Sequence, residues 1–330
     1  MKVTRVIAVL FFLSISSVAQ QKITVEEIYK GAFRAKGMDE LQSMKNTNQY
    51  TVLNFDRNSN AMQIDLYDFA SLKKVNTILD TKNFSELSGI DSYTFNTTET
   101  QVLIANNSNK IFRHSFTADY FLYDIASKKL SKLFDFAVQE PLFSPDGSKI
   151  AYAKDNNLYV YDIASKQTKQ ITTDGKKNHI INGITDWVYE EEFAFVRAFD
   201  WSADSKKVAY IRFDETLVPE FSMAVYKKDL YPKIETFKYP KAGEKNALVS
   251  LHIYDVNSNA KKDVNLGNYN DFYIARMKWT NDANVLSAQI LNRHQDNLDL
   301  LFIDGNSGTA TVVLNEKDKA YVDVTDNLTF

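Results

Sequence analysis

Short apolar strands that end in the same way recur along most of the chain. Each closes on an aromatic or aliphatic residue followed by aspartate, and then come a polar turn and a second strand, as in YFLYDIASKK. The five copies of this signature are Tyr67-Asp68, Tyr123-Asp124, Tyr161-Asp162, Tyr254-Asp255 and Ile303-Asp304. Apolar strands bounded by polar turn residues are typical of β-hairpins, so we expect a hairpin at each copy.

A second element alternates with the first and consists of an aromatic residue, a short turn and an apolar strand. Its copies begin at Phe95, Phe143, Trp201 and Trp279. Together the two elements supply the four strands of a propeller blade, which needs about 40–50 residues. The pattern predicts an all-β fold, an incomplete β-propeller over residues 45–330 with roughly five to six blades. A sandwich would not repeat one signature five times, and an unrelated series of hairpins is the remaining alternative.

Three segments depart from the repeat. Residues 20–44 precede it, and Val25, Ile28 and Phe33 within them have helical spacing, which predicts a short N-terminal amphipathic helix. Residues 185–199 interrupt a blade with a second helical turn. Residues 226–247 contain two prolines between lysine-rich flanks and indicate a long excursion between strands.

The first residues have the organisation of a secretory signal peptide. Lys2 and Arg5 form a basic region, Val6 to Ile15 is apolar, and Ser17-Val18-Ala19 supplies the small residues of a cleavage site. The apolar stretch is shorter than the roughly 20 residues that a membrane span needs. We therefore predict that residues 1–19 are removed after Ala19 and that the protein is secreted or periplasmic, with no membrane span.

Composition excludes several classes of function. Without residues 1–19 the chain has 37 basic and 42 acidic residues, a net charge of −5, which offers no electrostatic footprint for nucleic acid. Cysteine is absent, so thiol nucleophiles and thiolate metal sites are excluded. No Gly-x-Ser-x-Gly motif occurs, and the four histidines lack metal-ligand spacing. We expect no metal, no cofactor and no catalytic residue in this chain.

The acidic run Glu190-Glu191-Glu192 is the feature most suggestive of function. It follows Asp186 and lies among Trp187, Val188, Tyr189 and Phe193. Asp186 is a plausible helix N-cap, and on a helical turn the carboxylates can converge more nearly than on a strand. Burying like charges is costly without a cation, so one interpretation is a site for an ammonium group or a metal. The alternative is a solvated acidic helix face.

A second candidate is Arg113, in the segment Arg113-His114-Ser115 that precedes the strand ending at Tyr123. An isolated arginine is more often a surface residue or an ion-pair partner than a functional one. The spacing alone leaves both interpretations open.

The sequence around these candidates resembles the propeller of the dipeptidyl peptidase IV family of prolyl oligopeptidase-type serine peptidases. NGITDWVYEEE (Asn182 to Glu192) is similar to that family's acidic signature. FRHSFTADYFLYD (Phe112 to Asp124) before it and YPKAGEKN (Tyr239 to Asn246) after it match in the same order. The resemblance covers nearly all of the chain after residue 19. It implies an eight-bladed propeller joined to an α/β-hydrolase domain that releases N-terminal dipeptides, with proline or alanine second.

The resemblance also assigns roles to individual residues. It implies that Glu191 and Glu192 hold the free α-ammonium of a peptide substrate, whereas Glu190 is not given that contact. It implies that Arg113 binds the carbonyl between the first two substrate residues. The expected partner is therefore a peptide N-terminus, and a homodimer through residues 226–247 is a further implication.

The family's catalytic serine, aspartate and histidine lie in the hydrolase domain, and this chain has no segment that matches it. Residues 321–330 resemble the start of another repeat, so we expect the chain to be the N-terminal part of a longer exported dipeptidyl peptidase IV-like enzyme. Such a part would recognise a peptide N-terminus but would not cleave the peptide. The alternative is a non-catalytic propeller that binds peptides or a protein partner.

Overall fold

A computed structural model describes residues 23–35, 37 and 40–330. The predicted signal peptide lies outside these residues, as does part of the predicted N-terminal helical segment. The chain divides into two compact units, residues 1–41 and 42–330. No helix in the described part is long and apolar enough to cross a membrane.

The described part of the first unit contains one short helix, α1 (Val25–Tyr29). A capping box starts it: the Thr24 hydroxyl accepts from the backbone N–H of Glu27, and the Glu27 carboxylate accepts from the backbone N–H of Thr24. Gly31, with φ of +74°, follows the last turn. The predicted short N-terminal helix is therefore present and has five residues, of which Val25 and Ile28 are exposed.

The second unit is built from antiparallel sheets in which strands follow one another along the chain, the construction of propeller blades. Blades one and two contain β1 (Leu41–Ser43), β2 (Gln49–Asp56), β3 (Ala61–Asp68), β4 (Lys74–Asp80), β5 (Ser92–Phe95), β6 (Gln101–Lys110), β7 (Phe116–Asp124) and β8 (Lys129–Lys132). A 3-10 turn, Thr81–Asn83, follows β4. Blade three contains β9 (Gln139–Phe143), β10 (Lys149–Lys154), β11 (Asn157–Asp162) and β12 (Gln167–Gln170).

Blade four is the irregular one. Its strands are β13 (Ile180–Asn182), β14 (Phe199–Trp201), β15 (Lys207–Asp214), β18 (Leu248–Asp255) and β19 (Lys261–Asp263), and both β13 and β14 pair with β15. Helix α2 (Trp187–Glu192) lies in the chain between β13 and β14, within the predicted interruption at residues 185–199. A separate hairpin arm of β16 (Glu220–Val225) and β17 (Lys233–Lys238) leaves the blade between β15 and β18. The predicted excursion over residues 226–247 is thus the later half of an arm that begins before it.

Blade five contains β20 (Phe272–Trp279), β21 (Val285–Asn292), β22 (Asn297–Asp304) and β23 (Ala310–Lys317). Residues 40–330 therefore form five blades and one arm, and the predicted all-β propeller is confirmed, at the lower end of the predicted number of blades.

The recurring aspartate closes the turn after the third strand of each blade. Its carboxylate accepts a hydrogen bond from the backbone N–H of a serine three residues later, at 2.6–2.8 Å in all five copies. The serine is Ser71, Ser127, Ser165, Ser258 or Ser307. The aspartate that marks each repeat therefore stabilises the turn that follows it.

Apolar clusters lie between successive blades. Ile64 and Ile104 belong to the cluster shared by blades one and two, and Leu103 and Tyr152 to that of blades two and three. The largest cluster joins blades four and five and includes helix α2. The helix is therefore held by the core of the propeller.

Candidate functional site

Helix α2 is short, and its sequence specifies both ends. Asp186 is the N-cap, and its carboxylate accepts from the backbone N–H of Tyr189 at 3.0 Å. Phe193 is the C-cap, and Ala194 after it has φ of +57°, which ends the helical path. Six residues span fewer than two turns, so tertiary contacts must supply most of the stability of this helix.

Tyr189 supplies the main tertiary contact. It is 1% exposed, and its hydroxyl accepts a hydrogen bond from the backbone N–H of Ile274 in blade five at 3.0 Å. Its ring lies 5.1 Å from that of Phe193 and 4.8 Å from that of Phe213. Burial raises the pKa of the phenol well above its ordinary value. The helix thus has a fixed position against blades four and five.

The three consecutive glutamates have different surroundings. Glu190 is 1% exposed, and its Oε1 accepts from the backbone N–H groups of His114 at 2.6 Å and Ser115 at 2.8 Å. Glu191 is partly buried, and Glu192 is exposed. Because successive helical residues point about 100° apart, the run is not simply a solvated acidic face.

Arg113 lies in the loop of residues 111–115 between β6 and β7, which we call the arginine loop. Its Nε is 2.9 Å from Oε2 of Glu191 and 3.2 Å from Oε1. The Arg113 side chain is 69% exposed and that of Glu191 is 18% exposed. A pair this open to water contributes about 0–1 kcal/mol to stability, so fold stability alone does not explain it.

The structure therefore brings Arg113 and Glu191 together across 78 residues of sequence. Glu192 is the next residue of the helix, and within the described part of the chain its carboxylate makes no hydrogen bond or ion pair. Among the described residues, no group of three or more histidine, aspartate and glutamate side chains is arranged to hold a metal ion. The candidate site is the Arg113 guanidinium paired with the Glu191 carboxylate, with Glu192 next to Glu191 in the helix.

Comparison with known proteins identifies the propeller. A family profile described as "Dipeptidyl peptidase IV (DPP IV) N-terminal region" matches residues 96–330, which is more than half of the chain. The chain belongs to the dipeptidyl peptidase IV family. The matched region contains the acidic run, the arginine loop, blades three to five in full and all of blade two except its first strand.

Individual relatives agree with this assignment. A dipeptidyl aminopeptidase B of Saccharomyces cerevisiae is 33% identical over 249 residues, covering 73% of this chain and 30% of the relative. A dipeptidyl-aminopeptidase B of Aspergillus niger is 34% identical over 235 residues, covering 66% of this chain and 26% of the relative. The crystal structure of Porphyromonas gingivalis dipeptidyl peptidase 4 superposes with a TM-score of 0.85 at 35% identity, covering 93% of this chain and 44% of that protein.

The relatives from the dipeptidyl peptidase IV family are longer than this chain. This chain spans less than a third of the length of these two curated relatives and under half of the solved structure. The fold and the family are those implied by the sequence resemblance.

A second ion pair joins Glu140 and Arg197. Arg197 Nε is 3.5 Å from Oε2 of Glu140 on β9 of blade three, and the Glu140 side chain is 18% exposed. Burial raises the pKa of Glu140, Arg197 lowers it, and the neighbouring charge of Glu190 raises it again. The sequence did not single out Glu140 or Arg197, because no motif joins two residues from different blades.

Next to the helix lies a cavity of about 480 Å³ that the sequence did not predict. Trp187 of the helix, Ser115 of the arginine loop, Phe237 and Lys238 of the arm, and Glu215 all border it. Glu215 is 5% exposed, and burial raises the pKa of its carboxyl to about 7, with Asp186 raising it further and Lys238 opposing. Burial likewise raises the pKa of Asp186 to about 6.

Glu215 makes the stability of the fold depend on pH. Its pKa in the folded state, about 7, lies above the ordinary 4.5. Between these two pH values the folded state keeps a proton that the unfolded state has lost. The stabilisation that the protonated Glu215 carboxyl gives the fold is fully present below pH 4.5 and is lost as pH rises through about 7. We expect Glu215→Gln to be more stable than the natural protein at pH 8 by on the order of 2 kcal/mol.

Urea unfolding at pH 5 and pH 8 measures this effect. The natural chain should lose stability between the two values, and Glu215→Gln should lose less. Glu86→Gln, at an exposed position in the loop between blades one and two, is the matched control and should follow the natural chain. Equal pH dependence in all three proteins would contradict the assignment to Glu215.

His252 is hydrogen-bonded through both of its ring nitrogens. Its Nε2 is 2.8 Å from the Ser250 hydroxyl and its Nδ1 is 2.7 Å from Oδ1 of Asp263. The imidazole lies 5.2 Å from the Tyr210 ring, and the residue is 6% exposed, with a pKa lowered by burial. Asp263 is on β19 and His252 on β18, so these hydrogen bonds cross-link the outer strands of blade four.

Proposed function

We propose that this chain is the substrate-recognition propeller of an exported dipeptidyl peptidase IV-like serine exopeptidase that releases Xaa-Pro and Xaa-Ala dipeptides. Glu191 and Glu192 bind the α-ammonium of the peptide, and Arg113 binds the carbonyl between its first two residues. The observation that carries the proposal is the Arg113–Glu191 pair at 2.9 Å beside the exposed Glu192, within residues that match the family.

The charges of these groups suit an α-ammonium. The α-amino group has an ordinary pKa of about 7.7–8.0, and neighbouring carboxylates favour its charged form. Each charge-assisted hydrogen bond contributes roughly 1.5–3 kcal/mol. An internal peptide N–H carries no charge, so the site selects a chain end over the middle of a polypeptide.

The positions of the groups suit a short, measured length of substrate. Glu191 and Glu192 hold the end of the peptide, and Arg113, paired with Glu191, meets the first carbonyl along it. Two fixed anchors define how far the peptide extends toward a cleaving group. In this proposal a hydrolase domain, as the family implies, supplies that group and cleaves after the second residue.

The arm is the proposed contact with a second copy of the protein. Its tip exposes large apolar side chains, with Tyr226 77%, Leu230 89% and Tyr231 78% exposed. A group of exposed apolar side chains on one projecting hairpin favours association. We propose a homodimer in which the arm, including the later residues 226–247, takes part.

Binding of a free peptide N-terminus tests the recognition role. We expect isothermal titration of this chain to show a preference for Gly-Pro-Gly-Gly over its N-acetylated form of roughly 10- to 100-fold at pH 7. The preference should decrease between pH 7 and pH 9 as the free amine loses its proton. Equal affinity for the two peptides, or binding of neither, would sink the proposal.

A further inference from the structure

Glu190 takes no part in the proposed ammonium contact, yet of the three glutamates it makes the shortest hydrogen bonds to the rest of the protein. It is 1% exposed, and its carboxylate accepts from two backbone N–H groups at 2.6 and 2.8 Å. Both donors, His114 and Ser115, belong to the arginine loop. We propose that Glu190 is a positioning residue. Its two hydrogen bonds from His114 and Ser115, which we call the lock, attach the arginine loop to helix α2 and so hold Arg113 against Glu191. This inference rests on the proposed role of that pair.

The lock connects two parts of the chain that are distant in sequence. Glu190 is separated from His114 by 76 residues and from Ser115 by 75, and all of blade three lies between them. Arg113 immediately precedes these two donors, and Glu191 immediately follows the acceptor. Fixing the loop to Glu190 therefore sets the separation of the guanidinium from the carboxylate that it faces.

Charge makes this contact stronger than an ordinary turn. A buried carboxylate is costly unless hydrogen bonds and a nearby cation compensate for the water it has lost. Two backbone N–H groups donate to one oxygen, and these charge-assisted bonds are short. The carboxylate of Glu140 is close enough to Glu190 for the two charges to repel, and Arg197, 3.5 Å from Glu140, offsets the charge of Glu140.

The arginine loop is otherwise compact. Ser115 accepts twice, from the backbone N–H of Ile111 at its carbonyl oxygen and from that of Phe112 at its hydroxyl. The ring of Phe112 lies 5.6 Å from that of Phe237 on the arm. Ser115 is 4% exposed, whereas the Arg113 side chain is 69% exposed. The long side chain of Arg113 has few contacts of its own, so its placement depends on the backbone that Glu190 holds.

Amide hydrogen exchange tests the lock without any peptide. We expect Glu190→Ala to speed exchange in residues 111–116 by about tenfold or more, because a lost acceptor exposes both donors. Glu190→Gln keeps an acceptor oxygen of the same reach and should retain most of the protection. Unchanged exchange in Glu190→Ala would overturn the proposal, whether or not the chain binds peptides.

Peptide affinity then tests whether the lock acts through Arg113. Glu190→Ala and Arg113→Ala should each weaken binding of Gly-Pro-Gly-Gly by about tenfold, and the double variant should be no weaker than Arg113→Ala alone. Additive losses would show that Glu190 acts elsewhere and would overturn the proposal. Should Glu190→Ala fail to fold, Glu190→Asp keeps the charge but shortens the side chain, and the same exchange and coupling results are required of it.

The two proposals fail in different ways. If the natural chain does not distinguish Gly-Pro-Gly-Gly from its N-acetylated form, the recognition function is wrong, and the exchange experiment still decides the lock. If the natural chain makes that distinction and Glu190→Ala retains full affinity and full protection, the lock alone is wrong.

Discussion

Glu191→Gln is expected to weaken binding of a free peptide N-terminus by about 10- to 100-fold, the value of one charge-assisted hydrogen bond. The carboxylate has two partners in the proposed complex, the α-ammonium and Arg113, which lies 2.9 Å from it in the structure. Glutamine keeps the size of the side chain but removes the charge that both partners need. The N-acetylated peptide, which lacks the ammonium group, should lose much less affinity.

Glu192→Gln separates the two contributions. Glu192 is exposed and has no ion-pair partner within the described part of the chain, so its loss removes an ammonium contact without releasing Arg113. We expect a smaller loss of affinity than for Glu191→Gln and no change in stability. Glu316→Gln, an exposed position on β23, is the matched control. Affinities within a factor of two of the natural chain for both site variants would contradict the assignment.

Local signals carried the prediction of the fold. The aspartate of each repeat accepts from a serine three residues later, so the turn chemistry lies within a few residues of the strand it follows. Alternation of apolar and polar positions completes each hairpin. The blades could be predicted for this reason, and the arm was located only in part because its first strand, Glu220–Val225, has no feature that separates it from a blade strand.

The candidate site could be predicted only in outline. The helical turn follows from Asp186 as N-cap, and the resemblance selected Glu191, Glu192 and Arg113. The burial of Glu190 could not be predicted, because its partners lie 75 and 76 residues earlier. Spacing within the run left a solvated face open, and only tertiary contacts show that adjacent acids have different environments.

The N-terminal segment shows that the presence of a short helix could be predicted but its exact length could not. Apolar positions at helical spacing within residues 20–44 predict a short amphipathic helix, and α1 has five residues. Gly31 at φ +74° favours an end to the helix there. Periodicity reports which side chains would share a face, whereas helix length depends on residues that stop the helix.

Tyr189 is the residue whose loss should cost the most stability. We expect Tyr189→Ala to lower the free energy of unfolding by about 3–5 kcal/mol, as other truncations of buried aromatic residues do. The ring is 1% exposed and packs between Phe193 and Phe213, so the surroundings cannot readily fill the space. Helix α2 is too short to be stable without its tertiary contacts, so peptide binding should weaken when this one is lost.

Tyr189→Phe divides this cost into its parts. The ring remains, but the backbone N–H of Ile274, a fully buried residue, loses the hydroxyl that accepts from it at 3.0 Å. A buried donor without an acceptor costs about 1–3 kcal/mol. Tyr226→Phe, on the exposed arm, should change nothing in the same urea titration. If Tyr189→Phe is as stable as the natural chain, the hydroxyl does not join the helix to blade five. If Tyr189→Ala unfolds at the same urea concentration as the natural chain, contacts other than this ring hold α2 in place.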